Sequence, residues 1–91
     1  MSARWAARTD ANHAELLATL RRLGWAIVST HTLSNFVDAV GYKPSHGVTL
    51  FEFKQARGTF TKSQQRLRAE GWPLVVIRTA DEVIQFTRAH P

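Results

Sequence analysis

Three charged side chains stand where their neighbours call for an apolar interior. Asp38 interrupts Phe36-Val37-Asp38-Ala39-Val40-Gly41-Tyr42, and Glu52 and Lys54 close the run Val48-Thr49-Leu50-Phe51-Glu52-Phe53-Lys54. Both runs are rich in β-branched and aromatic residues and read as strands. Side chains alternate across a strand, so Val48, Leu50, Glu52 and Lys54 share one face. A carboxylate and an ammonium beside Val and Leu are costly there unless partners or chemistry hold them. Between the runs, Lys43-Pro44-Ser45-His46-Gly47 has the Pro and Gly of a hairpin loop of about five residues. Symmetric closure sets Tyr42 opposite Val48 and Asp38 opposite Glu52, with Cβ atoms ~5 Å apart. Facing carboxylates repel unless a cation sits between them, and a one-residue slip of register would turn one set away.

Two carboxylates near a strand end, with a lysine two residues beyond one of them, suit metal-assisted hydrolysis of a phosphodiester. Asp38 and Glu52 would offer hard oxygen ligands to Mg2+ or Mn2+, with the Phe53 backbone carbonyl as a further ligand. Such an ion lowers the pKa of a bound water and offsets charge on the phosphate. Lys54 would orient or help deprotonate that water, or stabilise developing negative charge. The plainer reading of the same charges is a structural network in which Asp38 and Glu52 pair with Lys54 and Arg57. Other chemistries find less support. The four histidines, His13, His31, His46 and His90, have no zinc-ligand spacing. There is no Gly-rich phosphate loop, and spacing alone defines no Ser/His/Asp set.

The elements that would position these residues can be read in order. Residues 1–8 lack a clear period and read as an N-terminal arm, leaving 9–91 as the single domain. Thr9, Asp10 and Asn12 are acceptable N-caps for a helix reaching Leu23, with Gly24 as its stop. His13, Leu16, Leu17, Leu20 and Leu23 form its apolar stripe. Glu15 is a first-helix carboxylate, but it lies roughly 100° or more from the centre of that stripe. Asn12 and His13 lie nearer the sheet-facing side, where Asn12 could join the site or simply cap the helix. Trp25-Ala26-Ile27-Val28 reads as the first strand and His31 to Asn35 as a turn. After Lys54 comes a basic loop, Gln55 to Thr59. Thr61-Lys62-Ser63-Gln64 then has the form of a capping box, opening a helix that Gly71 ends. Gln64 fits that box fully, and also fits a place near the metal or DNA. Pro73 to Ile77 has the apolar pattern of a strand covered on both faces, and Thr79-Ala80-Asp81-Glu82 is a second capping box. The expected order is α-β-β-β-α-β-α, an α/β fold with a mixed four-stranded sheet flanked by helices.

The totals narrow the partners. Twelve Lys and Arg against seven Asp and Glu give a net charge of +5, which favours an anionic partner such as nucleic acid. Lys54, Arg57, Lys62, Arg66 and Arg68 fall between Glu52 and Glu70 with no acid among them. They form either a solvated basic face or a stripe that contacts phosphates. No apolar run approaches the ~18 residues of a membrane span. The chain has no cysteine, hence no disulfide scaffold or thiolate metal site, which fits a reducing cytoplasm.

Asp38 followed by Glu52-Phe53-Lys54 at the end of the next strand resembles the signature of the PD-(D/E)xK nuclease superfamily. The element order is similar to the core of its restriction-endonuclease-like fold. The nearer resemblance is to small phage and bacterial nucleases of the VRR-Nuc branch, related to Holliday junction resolvases. Their Arg-x-Asp-x-Asn opening is matched by Arg8-Thr9-Asp10-Ala11-Asn12, and their Leu-Arg-x-x-Gly helix end is approached by Leu20-Arg21-Arg22-Leu23-Gly24. Their Thr-x-x-Gln is matched by Thr61-Lys62-Ser63-Gln64. The resemblance spans residues 8 to 86. One position departs: that family places Pro before its Asp, whereas Phe36-Val37 precedes Asp38 here.

The resemblance implies a Mg2+- or Mn2+-dependent DNA endonuclease, selective for junctions or flaps and acting as a homodimer. Asp38, Glu52 and Lys54 would be its catalytic residues, with Gln64, Glu15 and Asn12 as further candidates. Arg57, Lys62, Arg66 and Arg68 would contact DNA. The setting would be cytoplasmic, in the host cell if the chain is phage-encoded. Two other functions fit the same features: a non-catalytic DNA-binding module of this fold, and an assembly protein using the sheet edge.

Overall fold

The computed structural model describes residues 2–54 and 60–89, with side chains described from residue 12 onward. Seven elements follow in order: α1 (Ser2–Arg22), β1 (Ala26–Ser29), β2 (Ala39–Lys43), β3 (Gly47–Phe53), α2 (Lys62–Ala69), β4 (Leu74–Ile77) and α3 (Ala80–Arg88). The class is α/β, in the order read from the sequence. In the sheet order β1-β2-β3-β4, β1, β2 and β3 form an antiparallel meander and β4 pairs parallel to β3. A parallel neighbour needs a crossover, and α2 lies within it.

The helix ends follow local chemistry. Gly24, at φ +98, lets Trp25 N–H reach Leu20 O and Gly24 N–H reach Arg21 O, the paired bonds of a Schellman stop. Gly71, at φ +93, ends α2 the same way, with Trp72 N–H on Leu67 O and its own N–H on Arg68 O. Thr61 caps α2, and the reciprocal bond from Thr61 N–H to the Gln64 side chain completes the expected capping box. The second expected box is only half made. Thr79 accepts from Glu82 N–H, but the Glu82 carboxylate takes the Arg78 N–H instead of that of Thr79. The start of α1 also differs from expectation. The backbone is helical from Ser2 straight through Thr9, Asp10 and Asn12, because this Ala- and Arg-rich segment contains no Gly or Pro to stop it.

The hairpin keeps the expected pairing of Tyr42 with Val48 and shortens the expected loop, but the ladder ends at Ala39 with Phe51, so the expected pair of Asp38 with Glu52 is not part of it. Tyr42 pairs with Val48, and Lys43 already pairs with Gly47, leaving Pro44, Ser45 and His46 as the turn. His46 N–H closes on Lys43 O at 2.9 Å, and Gly47 at φ +76 turns the chain back into the ladder. β2 starts at Ala39, so Phe36, Val37 and Asp38 precede it. Thr30 holds this segment, its N–H on Asp38 O and its hydroxyl on Val37 O, both at 2.8 Å. β4 is an edge strand and only half covered, with Ile77 its one buried residue. Its apolar run therefore does not signal cover on both faces.

One face of the sheet carries the core. Phe51, Phe53, Ala39 and Ile77 meet Leu16 and Leu20 of α1 and Val83 of α3, all buried. Each large aliphatic or aromatic side chain so buried contributes roughly 1.5–3 kcal/mol. Trp25 packs edge-on to Phe51 and stacks on Phe86, and its ring N–H donates to Thr87 Oγ1 at 2.9 Å. Gly41 lies under this cluster, where a Cβ would come within 2.6 Å of Ile27 and 2.8 Å of Phe51. On the other face Val28, Tyr42 and Val48 are about half exposed or more, while Leu50 and Glu52 are buried.

Candidate metal and phosphodiester site

The charged residues gather at the end of the sheet where β3 and β4 finish and β2 begins. Asp38 lies one residue beyond the last ladder pair, Ala39 with Phe51. Its backbone N–H donates to Phe51 O at 3.0 Å, and its Oδ2 accepts the Phe53 N–H at 2.8 Å. A carboxylate taking a main-chain donor is well fixed, because the bond is charge-assisted. On the other side Asp38 Oδ1 faces His13 Nε2 of α1 at 3.7 Å. The His13 ring sits edge-on to both Phe53 and His31, so aromatic packing sets its orientation.

Glu52 is the least comfortable group in the cluster. Its side chain is 9% exposed, and Lys54 Nζ approaches Oε2 at 3.4 Å. That is long for a charge-assisted bond, which closes to about 2.7–2.9 Å when unopposed. Oε1 is buried and has no hydrogen-bond partner among the described residues. Burial raises the Glu52 pKa above its ordinary 4.5, and the neighbouring charge of Asp38 raises it further; Gln64 and Lys54 oppose the shift. Gln64 is buried, and its Oε1 is engaged by Thr61 N–H. Gln64 lies near enough to Glu52 to lower its pKa, so the first turn of α2 stands beside the sheet face that carries Glu52. The capping box of α2 thus also sets a wall of the site.

Of the candidates, Asp38, Glu52, Lys54 and Gln64 are brought together. Glu15 is not: it is exposed, and two residues beyond His13 it points roughly 160° away from it on the helix. Asn12 is half-buried beside His13. His13 itself, which its stripe position placed toward the sheet, is the first-helix side chain that faces Asp38. Its packing role was legible from the leucine spacing; contact with an acid beyond the end of another strand was not. Of the basic candidates, Lys62, Arg66 and Arg68 are exposed, and Arg57 lies outside the described residues. Arg68 lies over the Phe60 ring at 4.7 Å, and Lys54 Nζ approaches the same ring at 5.9 Å.

Among the described residues, no three His, Cys, Asp or Glu side chains form a group able to hold a metal ion. The candidate carboxylates are two, Asp38 and Glu52, and an ion such as Mg2+ held by so few side chains would take water and phosphate as its other ligands. The orphaned, buried Oε1 of Glu52 fits such an ion, since a cation there would satisfy it and relieve its repulsion by Asp38. A separate cavity of about 280 Å³, lined by Ser45, His46, Thr49, Pro73, Val75 and Phe86, opens at the hairpin end of the sheet. Compared with family models, curated proteins and solved structures, the chain matches none.

Proposed function

We propose that this protein is a metal-dependent DNA endonuclease. The observation that carries the reading is Glu52, a buried carboxylate whose Oε1 has no hydrogen-bond partner among the described residues, beside a second carboxylate and a lysine. A buried oxygen left without a partner costs stability, and this supports a ligand that completes it. The motif likeness to PD-(D/E)xK nucleases and the element order support a restriction-endonuclease-like assignment. The two-carboxylate set supports Mg2+ or Mn2+ as the cofactor.

Asp38 and Glu52 would hold the ion, with the Phe53 carbonyl as a further oxygen donor. Bound there, the ion would supply Lewis acidity toward phosphoryl oxygens and a more acidic water. Lys54 keeps an ammonium within 3.4 Å of Glu52, from where it can orient the attacking water or donate to a phosphate oxygen. The main-chain bond from Phe53 holds the Asp38 carboxylate in place, with the His13 imidazole facing its other oxygen. Lys62, Arg66 and Arg68 supply the cationic margin for the strand's phosphates. The open apolar patch of Val28, Tyr42 and Val48 supports pairing of two copies.

The test is cleavage of plasmid, nicked, flapped and four-way-junction DNA with Mg2+ or Mn2+. Asp38→Asn, Glu52→Gln and Lys54→Ala should each lose on the order of 100-fold or more in rate while remaining folded. DNA binding should weaken as salt rises. Wild type and all three variants cleaving equally would refute the assignment, and binding without cleavage under any metal would favour a non-catalytic module.

A further inference from the structure

We infer that the surface formed by α2 and its two flanks binds DNA through unpaired bases, so that the preferred strand at this site is single-stranded. The inference rests on the nuclease reading for the identity of the polymer as DNA. It rests on the side chains around α2 for the absence of pairing.

Two aromatic residues bracket this short basic helix. Phe60 immediately precedes the Thr61 cap and carries the Arg68 guanidinium over its ring. Trp72 follows Gly71 at the other end and is 53% exposed. The helix between them has eight residues and is therefore ~12 Å long. Lys62, Arg66 and Arg68 are exposed along it, while Gln64 is turned inward.

The Trp72 end is ordered by polar bonds. Glu70 accepts the Trp72 ring N–H at 3.1 Å through Oε1 and Arg66 Nε at 3.3 Å through Oε2. One carboxylate thus sets the attitude of an indole and of a guanidinium together. It also neutralises part of the Arg66 charge, which leaves Lys62, and Arg68 once it leaves the Phe60 ring, as the cations for phosphate. The indole, more than half exposed, presents its ring to solvent beside these charges.

The chemistry selects the partner. Within a duplex the faces of the bases are covered by their neighbours, and a protein reaches only phosphates and groove edges. Aromatic rings interleaved with phosphate-binding cations are matched to a strand whose base faces are open. The position of Phe60 adds direction, because Lys54 Nζ lies 5.9 Å from its ring and 3.4 Å from Glu52. A base that takes the place of Arg68 on the Phe60 ring would release that guanidinium to phosphate and bring its own backbone beside the carboxylates.

The experiment uses the full chain in EDTA at low salt, with fluorescence anisotropy of a labelled oligo(dT) and of a blunt duplex of equal length. The single strand should bind more tightly. Trp72→Ala and Phe60→Ala should each weaken it roughly tenfold and leave duplex binding within twofold, while Trp72→Phe and Phe60→Tyr restore it. Trp72 is exposed, so its variant is read independently of any folding defect at Phe60. Equal affinity for the two DNAs, or loss of both in parallel, would overturn the inference. No metal is present, so this outcome is distinct from a failure to cleave: selective single-strand binding by a protein that never hydrolyses DNA would uphold this surface and remove the nuclease reading.

Discussion

Glu52 gives the site a measurable signature in stability as well as activity. Its folded carboxyl holds a proton to higher pH than the unfolded chain does, mainly because it is buried and secondly because Asp38 is near. The folded state therefore binds more protons across that window, and stability falls as pH rises through it. Glu52→Gln removes the charge and keeps the shape. It should raise the melting temperature at pH 7 to 8 by a few degrees, an effect of about 1 kcal/mol in a domain this size. The gain should shrink toward zero as pH drops below 4.5, the ordinary glutamate value. A thermal melt series across pH checks this, and a Gln variant less stable than wild type at pH 8 would count against the strained carboxylate. At this scale the sequence was most legible. Charges at Asp38, Glu52 and Lys54 broke the apolar pattern around them, and the structure gathers them at one end of the sheet, with Glu52 inside β3 and Asp38 and Lys54 just beyond the strand ends. His13 was the weaker signal, because a histidine in a leucine stripe looks the same whether it packs or faces an acid.

At the level of elements, the core face of the sheet depends on close approach. Gly41 lies where Ile27, Phe51 and Trp25 converge, and a methyl group there would stand 2.6, 2.8 and 3.1 Å from them. Gly41→Ala should lose about 1–3 kcal/mol in urea unfolding through overpacking. Gly47→Ala is the contrast: it has a positive φ but open space around it, so it should lose only the ~1–2 kcal/mol of left-handed strain. Equal stability of Gly41→Ala and wild type would show that the cluster yields more readily than its distances imply. The hairpin register was legible because Pro44 and Gly47 bound a short turn, and Tyr42 with Val48 followed. The start of β2 was not, since Phe36 and Val37 have strand-like side chains but are held by Thr30 across a loop. Nor was the edge position of β4: a short apolar run reads the same at the centre of a sheet and at its border, where neighbouring elements decide cover.

For the whole molecule, what could be read was the order of elements, and what could not was how the chain distributes cover over the two sheet faces. Leucine periodicity in α1 and the stripe of α3 point to one packed face, but pattern alone does not tell which helix crosses to the other. The sheet also divides into a local part and a distant one. β1, β2 and β3 are joined by short connections, whereas β4 reaches β3 only through the segment containing α2. Contacts that close short loops form before those that close long ones. The meander should therefore be structured in the folding transition state and β4 should dock late. Val40→Ala in β2 should chiefly slow folding, and Val76→Ala in β4 should chiefly speed unfolding, as the two arms of a denaturant chevron would report. The reverse partition would place β4 in the nucleus. Since Glu52 pairs with Val76 across that late seam, a late-docking β4 would enclose this buried carboxylate only in the final step of folding, after the rest of its strand has found its place.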